Sequence, residues 1–237
     1  VEECFEAGWR AFNLAEKYQT PTIVLSDQLL AASLRTIEIE DIDFDKVEID
    51  RGKLLSSEEL DDMADAYRRH LFTEDGISPR AIPGHPKAVQ ATASDEHDEF
   101  GHISEDMDNR VKMMKKRMRK LEEAQQDIEP PATYGPQEAP VVLAGWGSTY
   151  GVLREAVDRL DGEARLVQFH DIWPFPTEAA AEALRGGMLV VVENNYTGQF
   201  RRLLQSETCL KVDHSILRYD GRPFSPEDIV AGLKEVR

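Results

Sequence analysis

Short apolar runs alternate with amphipathic segments over the last hundred residues, and this alternation limits the possible folds more than any other feature. The apolar runs occupy residues 141–144, 166–169 and 188–192. Segments with helical periodicity occupy residues 149–160, 177–184, 199–204 and 226–236. Strands that are apolar on both faces and separated by helices are typical of a parallel sheet covered on both sides. We therefore predict a three-layer, Rossmann-like α/β domain over residues 140–237.

The part of the chain before this domain has a less regular pattern. Helical periodicity is already present from the first residue to about Tyr18, so we expect the chain to be part of a longer polypeptide. An apolar strand is predicted at 22–25, an extended edge segment at 37–50 and another strand at 88–93. The stretch 129–139 is rich in proline and glycine, which predicts a linker.

Composition excludes several classes of protein. The 237 residues include 45 acidic and 28 basic side chains, a formal net charge of −17, which disfavours binding to nucleic acid or anionic membranes over the whole surface. No apolar run approaches the roughly 20 residues that span a bilayer, and the start of the chain lacks the features of a signal peptide. Two cysteines, Cys4 and Cys209, make no disulfide framework, and we expect buried free thiols in a cytoplasmic protein.

Residues 73–86 (TEDGISPRAIPGHP) form a loop whose shape is set by its composition. Two glycines and three prolines in fourteen residues predict fixed turns rather than a regular element. Arg80 lies within it and could grip a carboxylate with both arms of its guanidinium. An ordinary surface arginine is the alternative interpretation.

The segment after this loop combines acidic, histidine and basic residues. Its His97 and His102 stand among carboxylates, but their spacing does not match the HExxH pattern that places two imidazoles on one helical face, and a charged turn is the preferred interpretation. A long helix is predicted from Ser104. Its apolar stripe comprises Met107, Val111, Met114, Met118 and Leu121. Seven basic residues fill the rest of positions 110–120, which we interpret as a solvated or partner-docking face rather than a nucleic-acid site.

Residues 145–151 (GWGSTYG) follow a predicted strand and precede a helix. Their spacing is GxGxxxG, one residue away from the dinucleotide fingerprint, and no acidic partner for a ribose follows the next strand. A tight strand-to-helix turn is the preferred interpretation and an anion site the alternative. The chain also lacks a GxSxG elbow, a Walker A motif and a CxxC motif. By itself the sequence contains no complete active site.

Six strings in the sequence nevertheless resemble one family, the α-subunits of 2-oxoacid:ferredoxin oxidoreductases of the 2-oxoglutarate synthase type. They are VEECFEAGWRAFNLAEKYQTPTIVLSDQLL (1–30), TEDGISPRAIPGHP (73–86), SDEHDEFGHISEDMDNRVKMMKKRMRKL (94–121), AGWGSTYGVLREA (144–156), WPFP (173–176) and VVVENNYTGQF (190–200). The resemblance extends over essentially the whole chain.

The resemblance implies a thiamine-diphosphate-dependent oxidative decarboxylation of a 2-oxo acid, with 2-oxoglutarate as the expected substrate. Electrons would pass through an iron–sulfur cluster to ferredoxin, and coenzyme A would take the acyl group. A β-subunit would be the partner and would hold thiamine diphosphate, Mg²⁺ and the cluster. We expect no cofactor, metal or catalytic residue on this chain alone. A non-catalytic module that docks a partner is the alternative function.

The resemblance also divides the chain and assigns residues. Residues 1–35 resemble the tail of a pyrimidine-facing domain, 36–128 a connecting loop-and-helix segment, and 140–237 the transketolase C-terminal-like domain. The earlier part of the first domain, with the family's substrate loop and activating glutamate, has no counterpart here, so we do not expect this chain to catalyse the reaction alone. The DGISPR segment resembles the family loop whose arginine approaches the substrate. This implies substrate contacts by Arg80 and, as its neighbours, Ser78 and His97.

Overall fold

The computed structural model describes residues 2–236. Its helices are α1 (Glu2–Tyr18), α2 (Gln28–Ala32), α3 (Ser57–Asp62), α4 (Met107–Ala124), α5 (Tyr150–Arg159), α6 (Thr177–Ala183), α7 (Gln199–Thr208) and α8 (Pro226–Val236). Its strands are β1 (Leu54–Leu55), β2 (Arg80–Ala81), β3 (Ala132–Tyr134), β4 (Val141–Trp146), β5 (Ala164–Phe169), β6 (Met188–Glu193) and β7 (His214–Leu217). The chain divides into two compact units, one formed by residues 2–24 with 35–127 and the other by 25–34 with 128–236.

The second unit is built on a five-stranded sheet in the order β3-β5-β4-β6-β7. The four strands from β4 to β7 are mutually parallel, and β3 pairs antiparallel with β5. Successive residues of β4 point to opposite faces, so Val142 and Ala144 pack with α6 and α7, whereas Val141 and Leu143 pack with α5 and α8. The predicted three-layer α/β architecture with a parallel sheet is confirmed.

One strand of this sheet lies inside the stretch predicted as a linker. Residues 132–134 form β3, and Tyr134 is paired with Leu166 of β5. The added strand satisfies backbone groups on the outer edge of β5 that would otherwise lack partners. This strand has only three residues and is flanked by proline and glycine, so the composition of the stretch indicated a linker and gave no sign of a strand.

The first unit has little regular structure besides α1 and α4. Its buried apolar cluster contains Tyr18, Ile77 and Ala124, with Leu14 packed against it. The Tyr18 hydroxyl donates to Asp127 at 2.7 Å, and burial together with this carboxylate raises the Tyr18 pKa. Helix α1 is thereby tied to the end of α4.

Three predictions for the first unit and its neighbouring segment are wrong. Residues 22–25 form no strand, and Ile23 is 78% exposed, because no strand among residues 2–236 pairs with this stretch. The stretch 37–50 contains two 3-10 turns, Ile39–Asp41 and Phe44–Lys46, since its acidic side chains cap these turns. The stretch 88–93 is irregular after a 3-10 turn at Pro86–Ala88.

Helix α4 buries a different face from the predicted one. Met113 is 2% exposed and Lys116 9%, whereas Met107 is 85% and Met118 51% exposed. The helix begins at Met107 rather than Ser104 because the Asp106 carboxylate accepts hydrogen bonds from the first free N–H groups. Tight contact of the 73–86 loop with the backbone at Lys116 selects the buried face. Met107, Val111 and Met118 of the apolar stripe are exposed.

Both cysteines are exposed, contrary to the expectation of buried thiols. Cys4 lies in the first turn of α1. Cys209 ends α7 in a left-handed conformation, with φ of 56°, which turns the chain away from the helix.

Candidate functional site

The loop that contains Arg80 is held in one shape by hydrogen bonds within the first unit. Gly76 adopts a φ of +76°, and a Cβ atom there would lie 2.4 Å from the carbonyl oxygen of Lys116 on α4. Asp75 accepts a hydrogen bond from the Ile77 amide at 3.1 Å and pairs with Lys53 at 2.5 Å. The loop therefore packs directly on α4, in a conformation that favours glycine.

Arg80 lies in β2, within this loop, and its backbone N–H donates to the Lys53 carbonyl at 2.9 Å. Its Nη2 donates to the Glu16 carboxylate and, at 3.2 Å, to the Arg51 carbonyl. Hydrogen bonds from Arg51 and Arg80 lower the Glu16 pKa. The Arg80 Nε is buried without a hydrogen-bond partner among the described residues, so one donor of the guanidinium remains unused.

Ser78 is fully buried inside the loop. Its hydroxyl donates to the Leu71 carbonyl at 2.8 Å, and its own carbonyl accepts a hydrogen bond from the Gln19 side chain at 2.6 Å. The Gln19 side-chain oxygen accepts in turn from Arg69 at 2.7 Å. Ser78 thus contributes to the shape of the loop, and its hydroxyl is already engaged.

His97 lies against a second histidine that the sequence did not single out. The rings of His97 and His70 are 4.2 Å apart, and Nδ1 of His97 donates to the Asp95 carbonyl at 3.0 Å. Burial, followed by the neighbouring His97 and nearby cations, lowers the His70 pKa to about 4. Within residues 2–236, no hydrogen bond or ion pair joins His97 to Arg80.

Two glutamates beside His97 form ion pairs with nearby arginines. Glu96 pairs with Arg117 and Arg110, each at 2.6 Å, and these contacts, the Arg117 hydrogen bond first, lower its pKa to about 2. Glu99 pairs with Arg68 at 3.2 Å. Across residues 2–236, no group of three or more His, Cys, Asp or Glu side chains is arranged to hold a metal ion.

A cluster of cations beside the loop was missed by the sequence analysis. Lys116 and Lys120 stand one turn apart on α4, and Arg69 approaches both. Burial, followed by repulsion from neighbouring cations that include Arg69, lowers the pKa of each lysine to about 8. Seven basic residues lie within eleven positions of α4, and the sequence pattern does not distinguish Lys116 and Lys120 from the other five.

The glycine-rich stretch 145–151 forms a tight turn between β4 and α5 in the second unit. A Cβ at Gly145 would lie 2.3 Å from Leu153, and the Thr149 hydroxyl bonds both backbone groups of Trp146. The Gly147 carbonyl accepts from the Gln168 side chain at 3.1 Å. Packing within the turn accounts for Gly145, and Gly147 adopts a φ of +57° that favours glycine.

None of the helices in the described range is both long and apolar enough to cross a membrane.

Comparison with known proteins identifies relatives along the chain. Residues 1–116 match the family described as pyruvate flavodoxin/ferredoxin oxidoreductase, thiamine diphosphate-binding. The α-subunit of 2-oxoacid:ferredoxin oxidoreductase 1 from Sulfurisphaera tokodaii is 40% identical over 238 residues, which cover 99% of this chain and 37% of that protein. A 2-oxoglutarate synthase subunit KorA from Methanothermobacter thermautotrophicus is 27% identical, and the alignment covers 97% of this chain and 60% of that protein.

A solved structure agrees with these matches. The 2-oxoglutarate:ferredoxin oxidoreductase from Magnetococcus marinus, with 2-oxoglutarate, coenzyme A and succinyl-CoA bound, aligns with a TM-score of 0.81 and 33% identity. The alignment covers 94% of this chain and 38% of that one. The chain thus spans well under half the length of these larger relatives. Residues 1–116 thus match the thiamine diphosphate-binding family of the pyruvate flavodoxin/ferredoxin oxidoreductases, and the chain as a whole is similar in sequence and in fold to α-subunits of 2-oxoacid:ferredoxin oxidoreductases.

Proposed function

We propose that this chain acts as the C-terminal part of the α-subunit in a cytoplasmic enzyme that oxidatively decarboxylates a 2-oxo acid to an acyl-CoA. The observation that carries this proposal is the continuous similarity to α-subunits over 99% of the chain. The agreement in fold with the Magnetococcus marinus enzyme, at a TM-score of 0.81, supports it.

Such a reaction needs partners besides this chain. When bound, thiamine diphosphate supplies the electron sink that loss of CO₂ requires. A set of three acidic or sulfur ligands for Mg²⁺ or a cluster does not occur among residues 2–236, so these groups do not fit the side chains described. We assign the cofactors mainly to a β-subunit, with ferredoxin as electron acceptor and coenzyme A as acyl acceptor.

The proposed substrate is 2-oxoglutarate. Two relatives, the KorA subunit and the Magnetococcus marinus enzyme, are named for this acid, which carries a second carboxylate at the end of its chain. Arg80 has a buried Nε donor that no described group accepts, and an unused buried donor costs about 1–3 kcal/mol. A carboxylate that accepts from it would recover this cost and would be oriented by the rigid loop.

Within this proposal the three predicted residues have different parts. Arg80 binds the distal carboxylate, while Glu16 fixes its guanidinium through Nη2. Ser78 holds the loop beneath it through the hydrogen bond to Leu71. His97 contributes Nε2 to the substrate side, since its Nδ1 is occupied by Asp95.

The test uses the complete α-subunit together with its β-subunit, assayed by anaerobic reduction of a viologen dye. The unaltered complex should reduce the dye only when a 2-oxo acid and coenzyme A are present. Arg80→Ala should raise the KM for 2-oxoglutarate about 10–100-fold, because a charge-assisted hydrogen bond contributes roughly 1.5–3 kcal/mol. The KM for 2-oxobutyrate, which lacks the distal carboxylate, should hardly change.

Arg51→Ala is the matched control, since Arg51 pairs with the same Glu16 at 2.9 Å but is more exposed than Arg80. It should leave the KM for 2-oxoglutarate unchanged. If the KM for 2-oxoglutarate and the KM for 2-oxobutyrate rose equally in the Arg80→Ala variant, Arg80 would only support the loop. Absence of dye reduction by the unaltered complex would refute the oxidoreductase function itself.

A further inference from the structure

The side chain of Lys116 is largely buried, and its ammonium forms no ion pair within residues 2–236. Only 9% of the residue is exposed, yet no hydrogen-bond acceptor or carboxylate contacts its Nζ anywhere in residues 2–236. Asp75 attracts this ammonium electrostatically, but the Asp75 carboxylate is paired with Lys53 at 2.5 Å. Burying an unpaired charge is costly, so a compensating anion would stabilise this position.

Other cations approach from two parts of the first unit, α4 and the segment that contains Arg69. Lys120, one turn further along α4, donates to the Gln19 carbonyl at 3.3 Å, and Arg69 donates to the Gln19 side chain at 2.7 Å. Both acceptors are neutral, so neither positive charge is neutralised by its hydrogen bond. His70, next to Arg69, is kept uncharged by burial and by these same cations.

Neighbouring charges of the same helix are arranged differently. Arg110 and Arg117 share the carboxylate of Glu96, at 2.6 Å from each. Lys112 and Lys115 are exposed, where water solvates their charge. Lys116 and Lys120 differ from these residues because they are buried or half-buried and form no ion pair with a carboxylate within residues 2–236. Arg69, which lies outside α4, completes the cluster.

The loop of the candidate site forms one border of this cluster. Gly76 packs so closely on the Lys116 carbonyl that a Cβ atom would lie at 2.4 Å from it. The peptide of Ser78 contacts Gln19, which also receives Arg69 and Lys120. An anion bound here would therefore touch the base of the rigid loop.

We propose that Arg69, Lys116 and Lys120 form a binding site for a small oxyanion group, a phosphate or a carboxylate. Arg69 offers a planar pair of donors and the two lysines offer point charges, a combination suited to either group. The proposal does not depend on the oxidoreductase reaction, because it rests on side chains with unmet charge in this chain.

The test titrates the chain with sodium phosphate and, separately, with sodium succinate, against sodium chloride at equal ionic strength. Calorimetry and the ³¹P line width should report saturable binding of at least one oxyanion and a rise in Tm with its concentration. Preference for phosphate or for succinate identifies the group. Lys116→Met should weaken binding at least tenfold and should not lower the Tm in chloride, since it removes an unpaired buried charge.

Lys115→Met is the control, as it removes an exposed cation from the adjacent position of α4 and should leave the affinity unchanged. Lys116→Arg, which keeps the charge, should retain most of the binding even if the Met variant folds poorly. The proposal is overturned if neither anion binds saturably, or if the affinity falls equally in the Lys115 and Lys116 variants.

Discussion

Basic residues that are indistinguishable in the sequence have different surroundings in the structure. Between positions 110 and 120, Arg117 shares the Glu96 carboxylate, Lys115 is exposed and Lys116 is buried. What separates them is contact with distant parts of the chain, such as Gly76 and Gln19. Local charge patterning therefore predicted a solvated face, and the inward cations could be found only from tertiary contacts.

His70 makes stability depend on pH in a defined window. Its pKa falls from 6.5 to about 4 on folding, so the unfolded chain binds more protons between these values. The stabilising contribution is complete above about pH 6.5 and is lost as the pH falls toward 4. After allowance for solvent screening, we expect a loss of roughly 1–2 kcal/mol.

Calorimetric unfolding at pH 7.5 and pH 5 checks this expectation. His70→Gln should show a smaller drop in Tm between the two pH values than the unaltered chain. His102→Gln, at a histidine whose side chain is 74% exposed, should behave like the unaltered chain. Equal drops in all three proteins would contradict the assignment of this window to His70.

At the scale of secondary-structure elements, prediction succeeded where burial is uniform. Strands β4, β5 and β6 are buried on both faces, so their apolar runs stand out in the sequence. The short edge strand β3 has no such run. Residues 22–25 have one but are exposed, because a strand requires a neighbour to pair with as well as apolar side chains.

Helix α4 shows how periodicity can identify a helix and still misplace its buried face. The regular stripe of methionines and valine is exposed, while the opposite face packs through Met113 and the aliphatic stems of lysines. The packing of the glycine-containing loop on Lys116 outweighs the amphipathic pattern. The spacing of apolar residues therefore could not predict which face of α4 is buried.

Two adjacent methionines test the orientation of α4. Met113 is 2% exposed and Met114 is 38% exposed. Met113→Ala should lower the free energy of unfolding by about 2–5 kcal/mol, because it leaves a cavity in a packed site. Met114→Ala should cost less than about 1 kcal/mol.

Urea unfolding curves for the two variants give the comparison directly. If Met114→Ala lowered the free energy of unfolding more than Met113→Ala, the buried face would be the one predicted from the sequence, which would contradict the structure of this unit.

At the scale of the whole molecule, the two units were predictable to different degrees. The second unit carries its own sheet and two apolar layers, and its architecture follows from the sequence pattern. The first unit has a small apolar cluster and is held largely by polar contacts, such as those of Arg80, Gln19 and Glu96. Such contacts join residues that are far apart in sequence, so the sequence pattern could propose Arg80 as a candidate but could not predict the contacts that surround it.

The central claim is that this chain serves an oxidative decarboxylation, and the stoichiometry of the reaction tests it most directly. The complete α- and β-subunits should be supplied with 2-oxo acid, coenzyme A and oxidised ferredoxin, with CO₂, acyl-CoA and reduced ferredoxin measured together. Each molecule of 2-oxo acid should yield one CO₂, one acyl-CoA and two electrons on ferredoxin. Release of CO₂ without reduction of ferredoxin, or no consumption of any 2-oxo acid, would contradict the account.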